Sequence, residues 1–241
     1  MRARSRAREP GPGASRAGGD RRLEYSRSMI GTTLLLVVFG ALAISLIAYA
    51  VSRDRQRRRA FERIGPRLGL RSEPSSDGLR ELLAALPSMT PKKRHLFAHV
   101  LRGADTIICD WRILEGPKDR PRRSVQTLVA VRRPGARLPS FRLVAHTNRR
   151  ALADRLVGPT VEFRDARRPE EAIVIAGKDE AALRSVFDEA RRSRVELADD
   201  LVIEGGGDWV AGHVPGRRVP MDELAALLER VRVLTDQIVS D

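Results

Sequence analysis

The sequence has little cysteine, few aromatic residues and little lysine. Its single cysteine, Cys109, cannot form a disulfide within the chain, and the absence of a CxxC pair removes the usual zinc-site spacing. Aromatic residues make up 4% of the chain, so the core has to be built mainly from Leu, Val, Ile and Ala. Stacking platforms for single-stranded nucleic acid are poorly supplied for the same reason. We therefore expect neither a disulfide scaffold nor a nucleic-acid partner.

Lysine accounts for only four of the 45 basic residues, and arginine for the rest. Residues 1–59 carry 13 arginines and four acidic residues, a net charge of +9, whereas residues 60–241 have a net charge of +5. Much of the positive excess is therefore concentrated in a short N-terminal part. This distribution favours anionic lipid headgroups over nucleic acid as the partner.

A long apolar run without any charged residue occupies residues 30–51. As a helix, its 22 residues span about 33 Å, which is close to the thickness of a hydrocarbon core. A cluster of arginines follows at once and is suited to the lipid headgroup region. We predict one transmembrane helix over residues 30–51. The arginines expected at the membrane interface are Arg53, Arg55, Arg57, Arg58 and Arg59.

Two alternatives to a stable span are a buried core helix and a cleaved signal peptide. A core helix of this length would normally carry some charge. The tripeptide Ala48-Tyr49-Ala50 resembles a cleavage site, but the run is longer than a typical signal and an arginine-rich stop follows it. Six arginines lie in the 15 residues after the run, against four in the 15 before. The positive-inside rule thus predicts a plasma-membrane protein with a cytoplasmic C-terminal domain.

Residues 1–28 are rich in Arg, Gly, Pro and Ser and poor in apolar residues, which predicts a disordered basic tail. An alternative is that Met29 is the true first residue. In that case six arginines would follow the apolar run and none would precede it. A peptide from residues 5–20 in mass spectra of the native protein would rule out that alternative.

The remainder divides into a basic juxtamembrane helical connector, residues 52–90, and a domain over residues 91–241. We expect helices over residues 53–68 and 79–86, and a further short helix from Thr90 to about residue 101. Gly205-Gly206-Gly207-Asp208 lacks the residues of a phosphate loop and predicts a hairpin turn.

Short strands that do not alternate regularly with helices predict an α+β fold with a largely antiparallel sheet. The predicted strands cover residues 106–113, 124–131, 141–145, 161–163, 172–176, 201–204 and 209–214, and the predicted helices cover 147–157, 179–192 and 221–239, the last one long and amphipathic.

A series of short motifs follows in order along this domain. They are Cys109-Asp110-Trp111, Gln126-Thr127, Leu138 to Phe141, Gly177 to Glu180 and Ile203 to Asp208. The series resembles a family of uncharacterised bacterial membrane proteins. The resemblance implies one N-terminal transmembrane helix and one cytoplasmic α+β domain. It implies no activity.

His95 and His99 are four residues apart, which is a metal-ligand spacing on a helix. Leu96 stands where a zinc protease would place its glutamate, so two ordinary histidines on a connector helix are the simpler interpretation. We predict no metal and no cofactor. Basic runs at residues 92–94, 120–123 and 149–150 are expected to help hold the domain against an anionic membrane.

No nucleophile elbow, Walker loop or Cys/His dyad is present in the sequence. Asp110 is followed two residues later by Arg112, and the plainer interpretation of this spacing is an exposed ion pair on one strand face. We therefore expect a non-catalytic module that binds lipid or an unidentified protein. The alternative is a membrane-tethered hydrolase that uses Asp110 with His146 or His213, and it requires these groups to converge.

Overall fold

A computed structural model describes residues 19–91, 93–117, 120–145, 147, 160–165 and 168–240. The chain divides into two compact units, one that ends at Arg55 and one that begins at Gln56. Within the described residues, the first unit is a single helical segment and the second contains every strand.

Helix α1 spans Gly19–Ile64 and contains the predicted apolar span. Its large hydrophobic side chains between Leu35 and Val51 are 44–70% exposed. Among the described residues this is a helix long and apolar enough to cross a membrane, with a mean hydropathy of 2.4 over its best window. Residues 19–28, which we assigned to the tail, are helical because no proline interrupts the chain there, and residues 1–18 lie outside the described residues.

The last part of α1 belongs to the second unit, and Gly65-Pro66 ends the helix. A 3₁₀ turn, Pro66–Leu68, and the short helix α2, Leu79–Leu82, follow it. The expected domain boundary near residue 91 is therefore too late, because side chains from residue 61 onward are built into the core. The buried apolar side chains of this stretch are Phe61, Leu70, Leu79, Leu83, Leu86 and Met89.

Nine strands of the described chain form one sheet in the order β1-β2-β3-β4-β9-β8-β5-β7-β6. All of its neighbouring strands are antiparallel, which confirms the predicted α+β fold. The strands are β1 Arg71–Glu73, β2 Arg94–Arg102, β3 Thr106–Glu115, β4 Arg122–Arg132, β5 Leu138–Ala145, β6 Thr160–Asp165, β7 Arg168–Gly177, β8 Val202–Gly207 and β9 Trp209–His213.

The helix expected over residues 179–192 is instead two short helices, α3 Glu180–Val186 and α4 Glu189–Arg192. Asp188 restarts the helix, since its side chain accepts a hydrogen bond from the Arg191 backbone N–H, as an N-cap does. The final helix, α5, spans Leu224–Val239 with its predicted apolar stripe buried. The helix predicted over residues 147–157 falls almost entirely outside the described residues.

The helix predicted from Thr90 to residue 101 is wrong, because this segment forms strand β2. A β-bulge between Ala98 and Leu101 shifts the register, and His99 adopts a φ of 52° there. The bulge breaks the two-residue alternation of the strand, so Phe97 and Val100 reach the same core. Their three-residue spacing imitates a helical pattern in the sequence.

The sheet separates two layers of buried side chains. On one side, called here the α5 face, α5 packs against β4 and β9, and Phe61 of α1 joins the same core. On the other side, the α2 face, the segment that contains α2 covers Trp111 and its neighbours on β3 and β4. Because successive residues of a strand point to opposite sides, position along a strand decides which layer a side chain enters.

Gly206 on β8 lies directly beneath the segment that carries α2. A Cβ at this position would overlap the carbonyl oxygen of Ala85 and lie 2.7 Å from its carbonyl carbon. We expect Gly206→Ala to lower the free energy of unfolding by about 1–3 kcal/mol, because the obstructing atoms are backbone. Fluorescence of Trp111 and Trp209 during denaturation measures it. Gly40→Ala, which has no neighbour within 4 Å, is the control.

Candidate functional site

Asp110 lies in the middle of β3 on the α5 face, and its side chain is fully buried. A buried carboxylate is costly unless it is paired and hydrogen-bonded. Arg57 of α1 supplies both conditions: its Nε donates to Oδ2 at 2.6 Å and its Nη2 donates to Oδ1 at 2.7 Å. This fork-shaped contact is the strongest geometry available to an arginine and a carboxylate.

Further hydrogen bonds tie Arg57 to β4 and to the loop before α5. Its Nη2 donates to Thr127 Oγ1 at 3.0 Å, and its Nη1 donates to the carbonyl oxygen of Val219 at 3.2 Å. The Val219 backbone N–H donates to the same Thr127 hydroxyl at 2.9 Å. We call Arg57, Asp110, Thr127 and Val219 the Asp110 clamp. It joins the end of α1 to two central strands and one loop.

The Asp110 clamp is suited to holding the fold together and not to catalysis. Both carboxylate oxygens are occupied by Arg57, Oδ1 is also 3.3 Å from the Thr127 hydroxyl, and Oδ2 lies 3.5 Å from Nε of Arg218. A general base needs an oxygen within reach of a substrate proton. Asp110 is buried and its oxygens already accept protein donors.

The expected exposed ion pair between Asp110 and Arg112 is wrong. The two side chains share a face of β3, as the spacing predicted, but Asp110 is fully buried and its partner is Arg57. The pairing comes from a residue 53 positions earlier in the chain, which no local spacing rule detects.

The five arginines predicted at the membrane interface fall into two groups, one largely buried residue and four exposed ones. The side chain of Arg57 is 14% exposed and is held inside the domain by Asp110. The assignment of Arg57 to the membrane interface is therefore corrected. Arg58 pairs with Glu62 one turn later in an exposed contact. Arg53, Arg55 and Arg59 are exposed on α1, as an interface role requires.

A second buried ion pair lies on the α2 face. Arg142 of β5 donates from Nε to Oε1 of Glu204 on β8 at 2.8 Å, and Ser88 donates to both oxygens of Glu204 from its hydroxyl and its backbone N–H. We call Ser88, Arg142 and Glu204 the Glu204 cluster. It fixes the segment after α2 onto two central strands, as the Asp110 clamp fixes α1 on the opposite face.

The charge state of Glu204 follows from these neighbours. Burial by itself would raise the pKa of Glu204, but the Arg142 guanidinium, the His213 ring and the hydrogen bonds from Ser88 and Arg142 lower it below its ordinary value. Glu204 is therefore a carboxylate at neutral pH. Sequence reasoning missed this cluster, although a charged residue inside each of two apolar strands was a signal for it.

Asp110 and His213 do not converge. Asp110 pairs across the sheet with Thr127 and lies on the α5 face, whereas His213 pairs with Leu128 and packs its ring edge-on against Trp111 on the α2 face. The sheet separates the two groups, so this version of the hydrolase site is not formed. His146, the other histidine considered, lies outside the described residues.

His95 and His99 do not form a helical ligand pair, because both lie on strand β2. The two ring nitrogens of His95 are engaged: Nδ1 accepts from Trp111 Nε1 at 3.1 Å and Nε2 lies 3.2 Å from the Thr90 carbonyl. Burial lowers the pKa of His95, against the opposing contact with Thr90. It is a neutral, hydrogen-bonded and half-buried ring. Among the described residues, no group of three His, Cys, Asp or Glu side chains is arranged to hold a metal.

Cys109 is fully buried on the α2 face. Burial and the neighbouring Asp110 carboxylate raise the pKa of the Cys109 thiol far above its ordinary value. The thiol therefore stays protonated, and a protonated thiol is neither a good nucleophile nor a metal ligand.

Two depressions on the surface of the domain lie away from both buried ion pairs. One of about 880 Å³ lies between α5 and the loop over residues 195–199, and one of about 490 Å³ lies between the end of α1 and the start of α5. Neither Asp110 nor Glu204 lines them. The buried charged groups are thus parts of the scaffold.

No protein-family model matches this sequence, and no curated protein matches it. Among solved structures, the domain is similar to the crystal structure of the mycobacterial trehalose monomycolate transport factor A, TtfA. The TM-score is 0.46 and the sequence identity is 13%, over 75% of this chain and 93% of that chain. A likeness at this level carries no assignment of function.

Proposed function

We propose that the chain is a single-pass plasma-membrane protein with a non-catalytic cytoplasmic domain that contacts anionic lipid headgroups. The observation that carries this proposal is the apolar part of α1, whose large side chains from Leu35 to Val51 are 44–70% exposed. So much contiguous apolar surface is unfavourable in water and favourable in a bilayer. The helix satisfies its own backbone hydrogen bonds, as lipid requires.

The distribution of charge supports lipid headgroups as the partner. Arg53, Arg55, Arg58 and Arg59 follow the apolar run within eight residues and are exposed on α1. Each basic residue near an anionic leaflet contributes about 1 kcal/mol of attraction, which decreases over a Debye length. Their position after the run also supports a cytoplasmic location for the domain.

The chemistry of the described side chains supports a non-catalytic role. The buried acids Asp110 and Glu204 are both neutralised by arginine, the thiol of Cys109 is protonated, and both ring nitrogens of the half-buried His95 are engaged. A catalytic acid or base has to reach a substrate, and Asp110, Glu204 and Cys109 are fully enclosed. A protein partner, if one exists, would emerge from crosslinking in native membranes followed by mass spectrometry.

Alkaline carbonate extraction of membranes tests the span. We expect the full chain to remain in the membrane pellet, and Leu42→Arg/Ile44→Arg to release it, since each arginine near the helix centre costs about 2.5–3.5 kcal/mol. The matched control, Ala226→Arg/Val233→Arg, places two arginines on exposed positions of α5 and should stay in the pellet. Release of the unaltered chain, or a product trimmed just past Ala50, would contradict the proposal.

A further inference from the structure

We propose that the end of the sheet formed by the β3–β4 hairpin rests on the anionic membrane, with Leu96 among the headgroups and Arg94 and Arg123 against lipid phosphates. This inference rests on the proposed function and adds the surface that does the binding. The hairpin-end surface is defined as Arg94, Leu96, Leu114, Arg123 and Val125. These residues come from three strands and are brought together only by the fold.

The strand register places these residues side by side. Arg94 of β2 and Arg123 of β4 both pair with Leu114 of β3, so the three form one row across the sheet. In the next row, Leu96 and Val125 flank Arg112 in the same way. Residues two apart on a strand point to the same side, so both rows lie on the α5 face, two and four residues along β3 from Asp110. Apolar and basic side chains therefore alternate on one surface.

The exposure of these side chains fits a membrane surface. Leu96 is 46% exposed, one of few large hydrophobic residues of the second unit left open to solvent in the described chain. Arg94 and Arg123 are both exposed, and no ion pair joins either of them to a described residue. Exposed arginines beside an exposed leucine are the combination that interfacial segments use, with the apolar group buried among headgroups and the cations on phosphates.

Within the domain, the last part of α1 begins nearer the hairpin end of the sheet than it finishes. Arg57 contacts Asp110, which is the next row inward from Arg112. Farther along, Gly65 packs against Leu101, whose β3 partner Ile108 lies toward the opposite end of the strand. The segment from Arg57 to Gly65 therefore runs away from the hairpin end.

The connection along the chain is short. Five residues lie between Val51, the end of the apolar run, and Arg57. Even fully extended, this stretch spans only about 20 Å. An apolar run held in a membrane therefore keeps the domain close to lipid headgroups.

The experiment uses the full chain in lipid nanodiscs, with an environment-sensitive fluorophore on Leu96→Cys and, separately, on Val233→Cys. The two side chains are equally exposed, at 46% each, and Val233 lies on α5 outside the hairpin-end surface. The native Cys109 stays in place because it is fully buried and its thiol is protonated, so it does not react. The nanodiscs contain phosphatidylcholine alone or phosphatidylcholine with phosphatidylglycerol.

We expect the Leu96→Cys label to shift to the blue and to lose access to an aqueous quencher when phosphatidylglycerol is present. The Val233→Cys label should respond in neither lipid. Adding Arg94→Gln/Arg123→Gln should weaken the docked state roughly 30-fold, if each arginine contributes as a basic residue near an anionic surface does. The control pair Arg194→Gln/Arg230→Gln removes the same charge from exposed positions elsewhere and should leave the shift unchanged.

A Leu96→Cys label that ignores phosphatidylglycerol, or one that responds equally with Arg94→Gln/Arg123→Gln, would overturn the inference. Failure of the proposed function is distinguishable, because the chain would then not enter nanodiscs or would wash off membranes in carbonate. A label shielded in both lipids alike would indicate contact with protein or with zwitterionic lipid and would also overturn the charge-based docking.

Discussion

Replacing Arg57 with alanine is expected to lower the free energy of unfolding of the domain by about 3–5 kcal/mol. The variant leaves the Asp110 carboxylate fully buried with Arg218, at 3.5 Å, as its remaining ion-pair partner among the described residues, and a poorly compensated buried charge is among the costliest defects in a protein. It also removes hydrogen bonds to Thr127 and Val219. Chemical denaturation of the full chain, followed by tryptophan fluorescence, measures the change. Both tryptophans, Trp111 and Trp209, lie in the domain, so the apolar span does not contribute to the signal.

The neighbouring Arg58 provides the matched control. It makes an exposed ion pair with Glu62, at 67% and 43% side-chain exposure, and Arg58→Ala should cost no more than about 1 kcal/mol. Adding Asp110→Ala to Arg57→Ala should recover part of the loss, because the unpaired charge is then gone. Equal, small effects for Arg57→Ala and Arg58→Ala would mean that the Asp110 clamp does not stabilise the domain.

Replacing Arg142 with alanine is expected to have a comparable effect, about 3–5 kcal/mol, on the opposite face of the sheet. Arg142 and Glu204 are 5% and 2% exposed at their side chains, so the carboxylate cannot turn to water when its partner is removed. Arg184→Ala, which removes an exposed contact to Glu180, is the control and should change stability by no more than about 1 kcal/mol. A result for Arg142→Ala no larger than the control would contradict the role assigned to the Glu204 cluster.

The ion pair between Arg142 and Glu204 leads to a prediction about how stability depends on pH. In the unaltered protein the folded state lowers the pKa of Glu204, so its contribution to stability is present above the unfolded pKa, about 4.3, and is lost as the pH falls. In Arg142→Ala, burial remains and the main cation is gone, so the pKa of Glu204 should rise and acidification should relieve the buried charge. The difference in unfolding free energy between the two proteins should therefore shrink as the pH decreases. A difference that is constant from neutral pH to acid would count against this account.

The fold class was predictable from the sequence because most elements carry their own pattern. The apolar run within α1, the stripe of α5 and the short, mainly apolar runs of β3 and β4 each depend on residues that are close in the chain. Strand β2 was not predictable in this way, since the bulge at His99 places apolar residues three apart. The break between α3 and α4 was missed because Asp188 fits a helix interior and an N-cap equally well in sequence.

The buried ion pairs were beyond sequence reasoning for a different physical reason. Arg57 stands in a run of arginines suited to lipid headgroups, and nothing local distinguishes it from Arg58 or Arg59. Its selection depends on which residue at the end of α1 faces the sheet, and packing places Arg57 against Asp110. Arg142 and Glu204 are 62 residues apart and meet only because β5 and β8 pair. Partners of this kind are determined by tertiary packing.

The strand order also governs how the domain is completed during synthesis. The centre of the sheet is the β8–β9 hairpin, inserted between β4 and β5, and it contains some of the last residues to leave the ribosome before α5. Until that hairpin has emerged, β4 and β5 have unpaired edges, and such edges invite pairing with other chains. Because α1 comes first, the apolar run leaves the ribosome well before the strands that close the sheet. A stop codon between residues 178 and 201 would thus remove the middle of the sheet and leave two half-sheets, each with an unpaired edge, in one chain.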